Sequence, residues 1–157
     1  MKANKTWATL IVMLALAISS SAFAKNRHVR QQEPATEAET TSSLGLLASS
    51  SLVDEARKYL GTNPTGRSSL WCGAFMDLVL KRTGHAGGGN LAWGYKHYGT
   101  PVSGPQVGAI AVMHGHVGIV SGVDANGNPI IVSGNHNHTV AEAVYPRSRI
   151  AAYVMPN

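Results

Sequence analysis

"GAIAVMHGHVGIVSGVDANGNPIIVSGN", Gly108 to Asn135, carries the pattern that decides the fold. Ala109–Met113, His116–Val123 and Ile130–Ser133 are short runs rich in Val and Ile. Branched side chains of this kind pack well on a pleated, half-buried surface. Between the second and third runs stands "DANGNP", Asp124 to Pro129, a hairpin signal. Two further runs, Thr139–Val144 and Ile150–Val154, follow with turn residues between them. The second half of the chain therefore reads as an antiparallel sheet.

Upstream the period changes from two to nearly four. Leu52, Val53, Ala56, Tyr59 and Leu60 keep helical spacing, and Gly61 and Pro64 end that helix. Trp71 to Thr83 is a second helix, with Phe75, Leu78 and Val79 in register and Gly84 as its stop. Gly87-Gly88-Gly89 is a loop, and Leu91–Tyr98 reads as a short third helix. Helices first and strands later predict an α+β domain, N-terminal helices on a C-terminal antiparallel sheet, spanning residues 50–157.

The chain of 157 residues allows one modest domain with an appendage. Lys2 and Lys5, the apolar run Trp7–Ile18 and the Ala22-Phe23-Ala24 site predict a secretory signal peptide over residues 1–24. The apolar run falls short of the roughly 20 residues a membrane span needs. Residues 25–49, rich in Ser, Thr, Gln, Glu and Ala and free of aromatics, read as a disordered linker. Taking Lys2 and Lys5 from the 13 basic residues leaves 11 against 8 acidic ones, a net of +3 for the exported chain. Nothing resembles a basic-aromatic nucleic-acid motif. The expectation is an exported monomer, periplasmic or secreted, with no membrane span after leader removal.

An exported chain with a single cysteine has no intrachain disulfide, so Cys72 is either an inert core thiol or a reactive one. Cys72 lies in the first turn of the second predicted helix, where unpaired N–H groups and the helix dipole favour an anion. Gly73 beside it offers a substrate close approach to the backbone. His116 opens a predicted strand and is the candidate general base, with His114 two residues earlier on the same face if the strand extends that far. A cysteine–histidine pair needs a third group to orient the imidazole. Asn135, at the end of the next strand, is the candidate, with His136 and His138 as alternatives.

The order Trp-Cys-Gly-Ala-Phe, Gly-His-Val-Gly-Ile-Val and Gly-Asn resembles the papain-like bacterial cell-wall hydrolases of the CHAP and NlpC types. It looks closest to a subgroup with a "WCAAF" helix, a "GHVGIV" or "GHVGFV" strand and a "GGNQ" strand end. The resemblance runs from about Leu52 to Pro156 and includes the closing "YPRSRIAAYVMP". It departs in two places. "GAI" stands at Gly108–Ile110 where an acidic residue is common, and "SGNH" stands at Ser133–His136 in place of "GGNQ".

The resemblance implies a papain-like half-barrel sheet packed on helices, with no cofactor. It implies Cys72 as nucleophile with its own N–H in the oxyanion hole, His116 as base and Asn135 as the polar third residue. The substrate implied is peptidoglycan or a muropeptide, cleaved within the stem peptide or between sugar and peptide. Two other readings are carried beside it. One is a wall-binding module of the same fold without catalysis. The other is a zinc hydrolase in which His114-x-His116 and His136-x-His138 supply the ligands. Trp71, Trp93 and Tyr95 read as core or groove wall, and His28 and His85 as solvated.

Overall fold

A computed structural model describes residue 47 and residues 51–157. The expected leader over 1–24 and, Leu47 apart, the linker over 25–49 lie outside the described residues. Helix α1 occupies residues 51–57 and α2 spans Cys72–Arg82. Six strands follow: β1 (Thr100–Val102), β2 (Ile110–Met113), β3 (His116–Val123), β4 (Pro129–His136), β5 (Thr139–Val144) and β6 (Ile150–Met155). They form one antiparallel sheet in the order β1-β6-β2-β3-β4-β5. This is the α+β arrangement expected, with β6 inserted between β1 and β2. Among the described residues no helix is long and apolar enough to cross a membrane.

Two elements differ from expectation. The third helix is a 3-10 segment, Ala92–His97, rather than an α-helix. Strand β1 was not anticipated, because it is three residues long and contains Pro101. As an edge strand it can accommodate a residue without an N–H. The hairpin signal is met by β3 and β4. The Asp124 carboxylate accepts the N–H groups of Asn126 (2.9 Å) and Asn128 (2.7 Å), and Gly127 takes a φ of +80° that the turn requires.

The sheet buries side chains on both faces. Towards the helices, Ile110, Val112, Val117, Ile119 and Val132 pack on Leu52, Val53 and Ala56 of α1 and on Phe75, Met76, Val79 and Leu80 of α2. Each large apolar side chain so buried contributes about 1.5–3 kcal/mol. Away from the helices, Ala111, Met113, Val120, Ile131 and Tyr145 form a second, smaller cluster with Ile150 and Tyr153 packed against it. The chain following α1 is sewn to β5: the Gly61 N–H donates to the Val140 carbonyl (2.9 Å), and the Val140 N–H to the Thr62 carbonyl (2.8 Å).

One contact sets the spacing between α2 and the sheet. A Cβ at Gly134 of β4 would stand 2.6 Å from the Phe75 Cβ and 2.6 Å from the Trp71 ring. Only a residue without a side chain lets β4 cross the first turn of α2 this closely. Gly134→Ala must therefore push helix from sheet, since the Phe75 Cβ cannot swing aside. The substitution is expected to lower stability by about 1–3 kcal/mol, as overpacking does. Urea unfolding of wild type and variant checks this; equal midpoints would show that the contact has slack.

Candidate active site

Cys72 is the first residue of α2, and Trp71 at the N-cap offers no side-chain hydrogen bond to the helix end. The first intrahelical bond runs from the Phe75 N–H to the Trp71 carbonyl (2.9 Å), so the N–H groups before Phe75 have no partner within the helix. Leu70, just before the cap, holds a left-handed φ of +53°, a conformation costing about 1–3 kcal/mol for such a residue. Its side chain is 77% exposed. Cys72 itself is 6% exposed, and its Sγ lies 4.0 Å from the Gly115 carbonyl oxygen.

A cavity of about 320 Å³ opens over this thiol. Cys72, His116 and Asn135 all line it, so the three expected site residues come together although they lie on α2, β3 and β4. Leu70, Leu91 and Trp93 give it an apolar side. That side is held against α2 by Tyr95, a buried phenol whose hydroxyl reaches the carbonyls of Gly73 (3.1 Å) and Gly89 (2.8 Å). Burial pushes the Tyr95 phenol well up, which keeps it protonated as a donor. Gly73 has a different reason to be glycine than substrate approach. A Cβ there would lie 2.1 Å from the Asn90 carbonyl oxygen, so it permits the loop before Ala92 to press on the helix.

His116 begins β3, after a turn in which Gly115 takes a φ of +77°. By strand alternation it lies on the face opposite Val117 and Ile119, the face that also holds Ser133 and Tyr145. Its ring stacks on Tyr145 with centroids 5.9 Å apart at 24°, and its Nε2 lies 3.4 Å from the Tyr145 hydroxyl. That hydroxyl also meets the His136 Nδ1 at 2.8 Å and the Ser133 Oγ at 3.2 Å. A phenol has one proton to donate and lone pairs to accept two. More than one assignment satisfies all three contacts; the one a general base requires has Tyr145 donating to His136 and accepting from Ser133 and from a protonated His116 Nε2. That tautomer leaves the His116 Nδ1 lone pair available as a base.

The polar partner of the imidazole is therefore Tyr145, where the sequence pointed to Asn135, His136 or His138. Asn135 lines the cavity with a left-handed φ of +59°, but the hydrogen bond to the ring comes from Tyr145. His136 reaches His116 only through that hydroxyl. His138 is exposed, with its Nδ1 3.3 Å from the Ser68 carbonyl. Tyr145 follows β5, 29 residues beyond His116, so no local pattern links the two. The available signal was the "YPRSR" segment, a buried-type aromatic with a hydroxyl just after a strand.

Burial lowers the His116 pKa to about 4, with the neighbouring His136 and the Arg149 guanidinium adding to the effect. The ring is thus neutral at neutral pH, as a general base requires. His114 is not on the strand. It sits exposed in the turn between β2 and β3, stacked on Trp93 with centroids 4.6 Å apart. Of the four histidines of the zinc reading, His116 and His136 meet at the Tyr145 hydroxyl while His114 and His138 are engaged elsewhere, and among the described residues no three His, Cys, Asp or Glu side chains gather in a metal-binding group.

Comparison with known families places this geometry. The CHAP domain model matches residues 63–135, a span that holds Cys72, His116 and Asn135 and stops short of Tyr145. The resemblance read from the three motifs holds over that span, and domains of this type are generally hydrolases acting on peptidoglycan. Comparison with curated proteins finds no match, and comparison with solved structures finds none.

In a nitrogen-15 NMR titration, the His116 ring is expected to take up its proton near pH 4, far below the ordinary value of 6.5. Since the folded value is depressed, the unfolded chain binds the extra proton between those limits. Stability from this group is complete above about 6.5 and is lost as pH falls towards 4. A midpoint near 6.5 would mean that the ring is solvated. Tyr145→Phe keeps the stacked ring and removes the acceptor. It is expected to turn one His116 tautomer into a mixture in the same spectra, and an unchanged tautomer would remove Tyr145 from its role.

Proposed function

We propose that this chain, CHAP-like over residues 63–135, is an exported thiol hydrolase that cleaves a peptide or amide bond of peptidoglycan. The observation that carries the reading is a single cavity shared by a thiol at an uncapped helix N-terminus and a neutral, tethered imidazole. Export rests on the leader pattern of residues 1–24 and would bring the enzyme to a substrate that lies outside the cytoplasmic membrane.

In this mechanism the Cys72 thiol loses its proton to the His116 Nδ1 as Sγ attacks the scissile carbonyl carbon. The developing oxyanion is held by the free N–H groups of the first turn of α2, that of Cys72 among them. Charge forms there beside the apolar wall of Leu70, Leu91 and Trp93, where a lower local dielectric strengthens the interaction. The tetrahedral intermediate collapses, the C–N bond breaks, and the amine leaves with the proton from the imidazolium. Water then gives a proton to His116 and attacks the thioester, releasing the acid and restoring the thiol. Tyr145 acts as a positioning residue, holding Nε2 so that Nδ1 stays directed to the reaction. Asn135, on the same cavity, is suited to hydrogen-bond the substrate amide.

The test is digestion of purified peptidoglycan by the protein and by Cys72→Ala, with products identified by mass spectrometry. Wild type is expected to release new fragments that name the bond. Cys72→Ala is expected to keep the fold and lose the rate by about 10⁴-fold or more. Fragments from both proteins would place the catalytic group elsewhere. Fragments from neither would leave wall binding without catalysis.

A further inference from the structure

A second cavity, of about 380 Å³, lies on the other flank of His116. It shares Gly115, His116 and Asn135 with the first, so a ligand in one abuts a ligand in the other. Its remaining lining is His114, His136, Asn137, Tyr145 and Arg149, with no Asp or Glu among them. The Arg149 guanidinium lies over the Tyr145 ring, 5.5 Å from its centroid. Among the described residues Arg149 takes part in none of the salt bridges, whose cations are Arg57, Lys58, Lys81 and Arg82.

We infer that this polar cavity is a subsite for a free carboxylate of the substrate, with Arg149 as its anchor. The inference rests on the peptidoglycan-hydrolase reading and adds to it which part of the substrate is recognised. The exposed Arg149 guanidinium sits over the Tyr145 ring, and its planar fork matches a carboxylate in two hydrogen bonds. His136 and Asn137 add donors or a polar edge at the same cavity. Peptide stems carry such carboxylates, whereas the sugars contribute mainly hydroxyl and amide groups. The adjoining first cavity, apolar at Leu70, Leu91 and Trp93, suits the uncharged part of the same ligand.

The subsite also bears on catalysis. His136 and Arg149 both disfavour a positive charge on His116. A carboxylate seated between them offsets that charge, so the imidazolium formed during attack is better tolerated when an acidic substrate is bound. Substrate selection and proton transfer would then meet at one ring.

The test measures binding without cleavage, so that it stands whatever the digestion shows. A synthetic muropeptide is made in two forms, one with a free stem carboxylate and one with that group as a carboxamide. Both are titrated calorimetrically into the Cys72→Ala protein. The acid is expected to bind at least about tenfold more tightly than the amide, as a charged, bidentate pair implies. In Cys72→Ala/Arg149→Ala that ratio is expected to fall to about one, and Arg149→Lys is expected to restore part of it. Because both ligands meet the same Tyr145, any loosening of that ring cancels in the ratio. Equal binding of acid and amide, or a ratio that survives Arg149→Ala, overturns the subsite. Competition by inorganic phosphate without any preference for the carboxylate would overturn it as well.

Discussion

The close crossing of β4 over the first turn of α2, at Gly134 against Trp71 and Phe75, is the contact on which the site depends. Helix-to-sheet spacing is set there by backbone and ring atoms that cannot yield. Since Cys72 lies between Trp71 and Phe75, the same contact fixes how far the thiol stands from the ends of β3 and β4. Gly73 repeats the arrangement on the other side of the helix, where the Asn90 carbonyl presses on the first turn. Two absent side chains thus locate the Cys72 thiol, and Tyr95 secures the loop beside it.

The chemistry of the pair follows from where the fold leaves polar groups. The N-terminus of α2 has no side-chain cap, so its N–H groups stay available to a charge that develops in the cavity. His116 is buried enough that a resting charge is disfavoured, and its Nε2 is engaged by the Tyr145 hydroxyl. The hydroxyl in turn is held by Ser133 and His136 on β4. Orientation of the imidazole is therefore supplied by the sheet face away from the helices, while the thiol is carried by the helix layer. The thiol and the imidazole come together at the ends of β3 and β4, where both cavities lie.

Much of this was legible in the residues. The Val and Ile runs located five of six strands, with β3 and β5 at their observed bounds, because period-two patterning and turn residues are local signals. Both helices were legible from their spacing. The third helix was not legible as 3-10, since helical spacing does not separate the two forms over a segment as short as Ala92–His97. Strand β1 was hidden by Pro101 and owes its pairing to β6 alone.

At the site, the sequence by itself determined the candidate residue types and their elements: a thiol in the first turn of a helix, a histidine opening a strand, an asparagine near the end of the next. Those are properties of short segments, and short segments encode them. The tertiary structure alone decided which groups meet. Tyr145 follows β5, yet antiparallel pairing of β4 with β5 returns it to Ser133 and His136, and from there to His116. No local pattern records such a meeting, because it depends on register across strands and on a burial that only the assembled sheet provides.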